Sequence, residues 1–323
     1  MDTLSVELHA QIFEYACVDD GSTARSLALV SRYIHAVAQP FLYQSLAVRG
    51  PVQIHALTSR LAPLPHYLRR IRHLYLAELR DDQAWPAGRN GDASDLEGWE
   101  AACAAIAQLL VLAAPTLETL ALTADCPFTG TSIIGHLWSL HLPLLRELAV
   151  RGFYPFPAGA DAEGATMPRL RRMYLAANRS PTGLLGSGGL KDACPLLEHL
   201  VIEGVFAAQG FANEVERIFG RESERGHARD SLVDGDEDSP LPSALRRVVI
   251  RPEALPPKSG IRVRAYHAKM TDLLERAAGG SGGRVALRPP PAFEAGVTRT
   301  KNGRMYELWT ERIAGGSAWW EDA

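Results

Sequence analysis

His136 and His141 stand five residues apart, a spacing that turns two imidazoles to different sides of a helix, where a metal pair needs both on one face. Cys17, Cys103, Cys126 and Cys194 show no ligand spacing, and each lies in an apolar stretch, as reduced thiols packed like small hydrophobes do. The segment GLLGSGGL from Gly183 lacks the G-x-G-x-x-G order and the Lys-Ser/Thr ending that cradle phosphate, and it reads as a turn. The DGDED cluster from Asp234 carries charge for a cation, but among Ser, Gly and Pro it reads as a solvated loop. Asn178, Arg179 and Ser180 match a glycosylation sequon, yet Pro181 follows at once. The expectation from these residues is a chain without enzymatic chemistry, bound metal or cofactor.

The elements that would position any site are more legible. Three apolar residues recur at first, fourth and sixth positions: Ile71, Leu74, Leu76; Leu117, Leu120, Leu122; Leu145, Leu148, Val150; Leu170, Met173, Leu175; Leu197, Leu200, Ile202; and Leu245, Val248, Ile250. The last two of each set alternate as a strand requires, with the residue between them on the opposite face. Helical spacing appears between the strands, in Trp99, Ala102, Ile106, Leu109 and Ala113, in Phe211, Val215, Ile218 and Phe219 before Gly220, and in Tyr266, Met270, Leu273, Leu274 and Ala277. Strand and helix in alternation predict an α/β fold with a curved parallel sheet.

Composition agrees with folded parts of substantial core, at 46% hydrophobic and 22% charged residues in 323. A formal charge of -3 gives nucleic-acid binding no electrostatic support. The run from Ala101 is too short for a membrane span, and Asp2, Glu7 and Glu14 interrupt what a secretory signal would need. The expected location is cytoplasm or nucleus, with no membrane partner.

The repeated pattern resembles the leucine-rich repeat family over roughly residues 68 to 255, and Leu117, Leu145, Leu170 and Leu197 follow at 28, 25 and 27 residues. The Asn usual at the ninth position stands only at Asn178, so the resemblance implies an irregular solenoid. It also implies a concave stripe that would bind a protein target through His73, Tyr75, Glu147, Arg151, Arg172, Tyr174, His199, Glu203, Arg247 and Arg251, with Thr119 in the same row. The stripe leans basic toward the later strands, which fits an acidic partner.

Ahead of the repeats, Leu4, Leu8, Ile12 and Ala16 step by four residues, and Leu27, Val30, Ile34 and Val37 form a second stripe that Ser22 or Thr23 can cap. Pro40 suits the first turn of a very short third helix. This segment, LSVELHAQIFEYAC and DDGSTARSLALVSRYIHAVAQPFLYQSL, resembles an F-box of the mushroom-type fungal form, with Ser5 where the family usually has Pro. The resemblance implies a Skp-type adaptor and a cullin ligase as partners, with Leu4, Ser5, Leu8, Ile12, Leu29 and Val30 at the adaptor contact. The expected organisation is an F-box-like helical module over 1–48, a repeat array over 49–260 with inserted loops near 81–95 and 220–243, and a C-terminal cap and aromatic tail over 261–323. The implied function is a ubiquitin-ligase substrate receptor; an interaction scaffold of leucine-rich repeats without ligase role stays open beside it. Trp319 and Trp320 are open to two readings, as part of the cap or as a docking tail.

Overall fold

The computed structural model describes residues 4–80, 93–126, 129–155, 164–220, 239–289 and 301–320. The chain divides into two compact units, Met1–Leu145 with Thr298–Glu321, and Arg146–Val297 with Asp322–Ala323. Both are α/β, with strands that pair in parallel in chain order.

The first unit begins with helices α1 (Val6–Ala16), α2 (Ser22–Ala28) and α3 (Arg32–Ala38), then alternates β1 (Ser45–Arg49), α4 (Gly50–Leu61), β2 (His73–Ala77), α5 (Ala93–Ala113), β3 (Thr119–Ala124) and α6 (Gly130–Ser139). The second contains β4 (Glu147–Gly152), β5 (Arg172–Ala176), α7 (Gly189–Ala193), β6 (His199–Val205), α8 (Gln209–Phe219), β7 (Arg247–Pro252), α9 (Ile261–Gly280) and β8 (Val285–Leu287). Helix α10 (Lys301–Ile313) returns to the first unit.

The last two residues of each of the six apolar triplets lie in strands β2 to β7, the first stands two residues ahead of its strand, and every one of these side chains is buried. Turns set the start of each strand. The amides of Leu145, Leu170 and Leu197 bond back to the carbonyls of Leu142, Met167 and Cys194, and Pro143, Pro168 and Pro195 hold the second position of those turns, where a fixed φ suits the geometry. One carbonyl then accepts two amides of the next strand. The Gln44 oxygen takes Arg72 and His73, Arg72 takes Glu118 and Thr119, Arg146 takes Arg171 and Arg172, Arg171 takes Glu198 and His199, and Glu198 takes Arg246 and Arg247. This shared acceptor fixes the in-register rows His73↔Thr119 in the first unit and Glu147↔Arg172↔His199↔Arg247 in the second.

Helices cover the other face of the sheet. In the first unit α4 packs on α5 and α5 on α6; in the second α8 packs on α9. Met270, Leu273, Leu274 and Ala277 of α9 are buried as their spacing predicts, as are Phe211, Val215 and Phe219 of α8.

Several expectations need correction. The second N-terminal stripe is two helices, because the Ser31 hydroxyl accepts the Ile34 amide at 3.1 Å and starts α3 afresh. Helix α2 is capped from outside by Asp19, not by Ser22 or Thr23: its carboxylate accepts the Gly21 and Thr23 amides at 2.8 and 2.9 Å and the Ser22 hydroxyl at 2.9 Å. Of the expected loop at 81–95, residues 81–92 lie outside the described residues and Ala93–Asp95 already belong to α5. Of that at 220–243, residues 221–238 lie outside them, including the DGDED cluster, while Leu241 is buried ahead of β7. The segment at 261–323 does not act as one end cap: α10 lies over β2 and β3.

The Asp19 cap yields a pH prediction. Burial raises its carboxyl, but bonds from Thr23, Ser22 and Gly21 outweigh this and hold it below the usual range. A carboxyl lowered in the folded state contributes stability that is present above its unfolded value of about 3.9 and is lost as pH falls through the folded value. The urea midpoint of the helical module is therefore expected to fall more steeply below about pH 4 in the natural chain than in Asp19→Asn, and parallel curves would refute the cap.

Candidate functional site

The helical module has two faces. Inward, Phe13, Cys17, Ala24, Ile34, Val37, Ala38 and Phe41 make one core, with the Phe13 and Phe41 rings edge to face at 6.5 Å. His9 joins it at 4% exposure, its Nδ1 at 3.1 Å from the Tyr33 hydroxyl. The inner stripe of α1 is thus His9, Phe13 and Cys17. The stripe found in the sequence is the other one: Leu4, Leu8 and Ile12 are 44%, 47% and 50% exposed.

The turn between α2 and α3 adds Leu29 at 87% and Val30 at 59%. Ser5 caps α1, its hydroxyl accepting the Leu8 amide at 3.4 Å, so the residue that stands where the family has Pro starts the helix by another device. Val6, Tyr15 and Tyr33 are exposed apolar neighbours in sequence. Single apolar residues scatter over most protein surfaces, whereas here Leu4, Val6, Leu8, Ile12, Tyr15, Leu29, Val30 and Tyr33 are all exposed within one small module.

The far end of the module is fastened to the sheet. Buried Gln44 donates from Nε2 to the Glu14 carbonyl at 2.7 Å, satisfying an orphan oxygen at the end of α1, while its own carbonyl serves β2. Arg72 bonds the Glu14 carboxylate at 2.8 Å and Glu118 at 2.7 Å. The module leans on the first strands with one side and presents Leu4, Leu8, Ile12, Leu29 and Val30 on another.

The inner sheet face departs from the expected exposed stripe. Tyr75 is fully buried beneath α10, with the Tyr306 and Trp309 rings at 5.3 and 5.8 Å. Tyr174 is 2% exposed. Both were expected to face a target; each sits in the middle row of its strand, where Ala121, Ala149, Val201 and Val249 are buried too. The flanking rows remain half-buried and largely pair among themselves. His73 Nδ1 lies 3.0 Å from the Thr119 hydroxyl, Arg172 bonds Glu147 at 3.3 Å, and Arg251 lies 3.6 Å from Glu203. Arg151, His199 and Arg247 complete the half-buried set.

No family model matches the chain, and neither a curated protein nor a solved structure matches it. Function must be argued from its own surfaces.

Two other places have the chemistry of a site. Cys103 and His136 line a cleft between α5 and α6, but burial holds the Cys103 thiol above its ordinary value, opposite to the shift that makes a nucleophilic thiolate. The glycine-rich segment does gather amides around an anion, and the anion is the protein's own: the Glu214 carboxylate accepts Gly183 at 2.6 Å, Leu185 at 2.8 Å, and Gly186. In the first unit the Glu78 carboxylate accepts the Cys126 amide at 3.2 Å and the Thr129 hydroxyl, and its burial pushes the carboxyl up. Asn178 donates to the Tyr154 carbonyl at 3.2 Å and accepts the Ser180 amide at 3.1 Å. Buried acids thus hold backbone amides at two turns. The readable signal was an acid set between apolar residues on a helix face, as Glu214 is between Phe211 and Val215.

Among the described residues, no three His, Cys, Asp or Glu side chains gather as a metal cluster, and no helix is long and apolar enough to cross a membrane. The four cysteines are thiols outside any disulfide.

Proposed function

We propose that the chain is an F-box and leucine-rich-repeat substrate receptor, which docks a Skp-type adaptor through α1 and the α2–α3 turn and holds a protein target through its repeats. The carrying observation is the outward placement of Leu4, Leu8, Ile12, Leu29 and Val30 on a module whose own core is already closed by Phe13 and its neighbours. Covering the exposed half of each is worth on the order of 1 kcal/mol. Five such contacts form an interface centre, and the rest of the affinity must come from the surrounding residues.

The receptor works by proximity. Bringing a bound target near ligase machinery raises its effective concentration without chemistry in this chain. The scaffold reading has its own support in Gln44 and Arg72, which fasten the module to the sheet as a cap would be fastened. A cap, however, has no need of a second apolar face.

Co-purification with a Skp-type adaptor decides between them. The natural chain is expected to be captured, and Leu8→Asp with Ile12→Asp to bind at least 100-fold more weakly, about 2.7 kcal/mol, because charge enters the interface centre. The far-ultraviolet spectrum is expected to stay unchanged, since both positions face water. No capture of the natural chain removes the ligase role.

A further inference from the structure

The inner face of the second unit gathers positive charge at the entry of three adjacent strands. Register places Arg172 of β5 beside His199 of β6, and His199 beside Arg247 of β7. Neighbouring strands run about 4.8 Å apart, and residues of one row share one face, so the three side chains stand side by side. Tyr174, Val201 and Val249, two residues further along the same face, are buried and form an apolar row next to them.

Glu147 bonds Arg172 from one side, and Glu198, next to His199 in sequence, bonds Arg171 at 2.9 Å. On the β7 side the pairing Val248↔Val285 sets Arg284, just ahead of β8, next to Arg247 in register. His199 Nδ1 and Arg247 Nε are buried atoms without a hydrogen-bond partner. A buried polar group left so costs about 1–3 kcal/mol, and two of them on neighbouring side chains mark a place built for an acceptor.

We propose that Arg172, His199 and Arg247 form an oxyanion site for a phosphate monoester. The two guanidinium forks match the geometry of tetrahedral oxyanions, and a phosphate monoester offers three acceptor oxygens with nearly two charges, whereas a carboxylate offers two oxygens and one. Burial and the neighbouring Arg172, Arg246 and Arg247 hold the His199 imidazole below its ordinary value, against Glu198. A bound dianion reverses that balance and raises it. The group can arrive on a phosphorylated side chain of a partner or on a small phosphorylated molecule. The first source deepens the target-binding half of the proposed function and rests on it; the site itself rests on the row of side chains.

The test is a titration of the full chain with inorganic phosphate at constant ionic strength, followed by imidazole nuclear magnetic resonance, with His199 assigned by its loss in His199→Gln. The expected result is a saturable shift of the His199 ring signals and a raised imidazole pKa, with affinity reduced about 10-fold or more in Arg247→Met and in His199→Gln. Arg262→Ala, on the exposed start of α9, is expected to bind as the natural chain does. A phosphoserine peptide that binds more tightly than inorganic phosphate assigns the group to a partner protein; free phosphoserine binding as tightly assigns it to a small ligand. A silent His199, unchanged affinity in both variants, or equal binding of the unphosphorylated peptide or of a single-stranded oligonucleotide overturns the site. Adaptor capture on the same preparation separates this result from that of the ligase proposal, because α1 and β5 to β7 belong to different units.

Discussion

Glu214→Ala is expected to lower the stability of the second unit by about 3 kcal/mol, and Glu214→Gln by about 2 kcal/mol. The carboxylate is 8% exposed and accepts three backbone amides from Gly183, Leu185 and Gly186, bonds to an ionised acceptor that are individually worth about 1.5–3 kcal/mol. The contributions do not add in full. The loop borders an open cleft lined by Thr182, Ser187 and Asn213, so water can reach part of what the carboxylate leaves. Glutamine keeps one acceptor oxygen but turns an NH2 group toward amides that need one. Alanine removes both oxygens and opens a gap beside Phe211 and Val215 on the buried face of α8. Hydrogen exchange gives the direct reading. The amides of Gly183, Leu185 and Gly186 are expected to lose protection in both variants before β5 and β6 do, and unchanged protection there would show that the loop holds itself.

The strands were legible because their signal is local. Each triplet needs three apolar residues within six positions, and burial of all of them follows from the same alternation that found them. The turns were legible too, had Pro143, Pro168 and Pro195 been read together with the leucines that follow them. What escaped is set by partners far away in the chain. Alternation predicts that Tyr75 and Leu76 face opposite sides; it carries no information that α10 will lie over the Tyr75 side. Residues from Tyr306 onward decide that, and their own spacing shows only an apolar helix.

The same limit applies to the helical module. Periodicity finds apolar stripes on α1, but Leu4, Leu8, Ile12 and His9, Phe13, Cys17 are both stripes, and choosing the inner one requires knowing where Ile34 and Phe41 will stand. Volume favours Phe13 for the core. The residues expected at the adaptor are then the other apolar stripe of α1, which is left exposed. Strand β8 escaped for a simpler reason: three residues, Val285–Leu287, are too few to alternate visibly.

The two faces of the sheet in the first unit are therefore unequal in origin: one is covered by the helices between strands, and the other by a segment from the C-terminal end. Trp309→Ala is expected to destabilise that cover by about 3–5 kcal/mol, the cost of truncating a fully buried Trp. Trp309 is 1% exposed, stacked with Tyr306 at 6.1 Å and tilted against Tyr75 at 5.8 Å. The other ties of α10 are weaker. The Arg49 guanidinium lies 3.8 Å from the Tyr306 ring centroid, a contact worth about 1 kcal/mol, and the Tyr306 hydroxyl donates to Asp20 at 3.3 Å. Tyr306→Phe, which removes that last bond alone, is expected to cost about 1 kcal/mol or less. With Trp309 gone, the thirteen-residue helix loses its largest buried side chain, and less remains to offset the entropy of ordering it against the sheet. The amides of α10 are then expected to exchange freely while β2 and β3 stay protected, and Tyr75 becomes accessible to solvent-borne quenchers. The row of His73 and Thr119 would open with it, so the first unit would acquire in the variant the exposed face that alternation alone predicts. Under the proposed receptor role, capture by the adaptor is expected to be unaffected, because Leu8 and Ile12 are exposed on α1; a Trp309→Ala chain with fully protected α10 amides would show that the helix is held by contacts other than these aromatic ones.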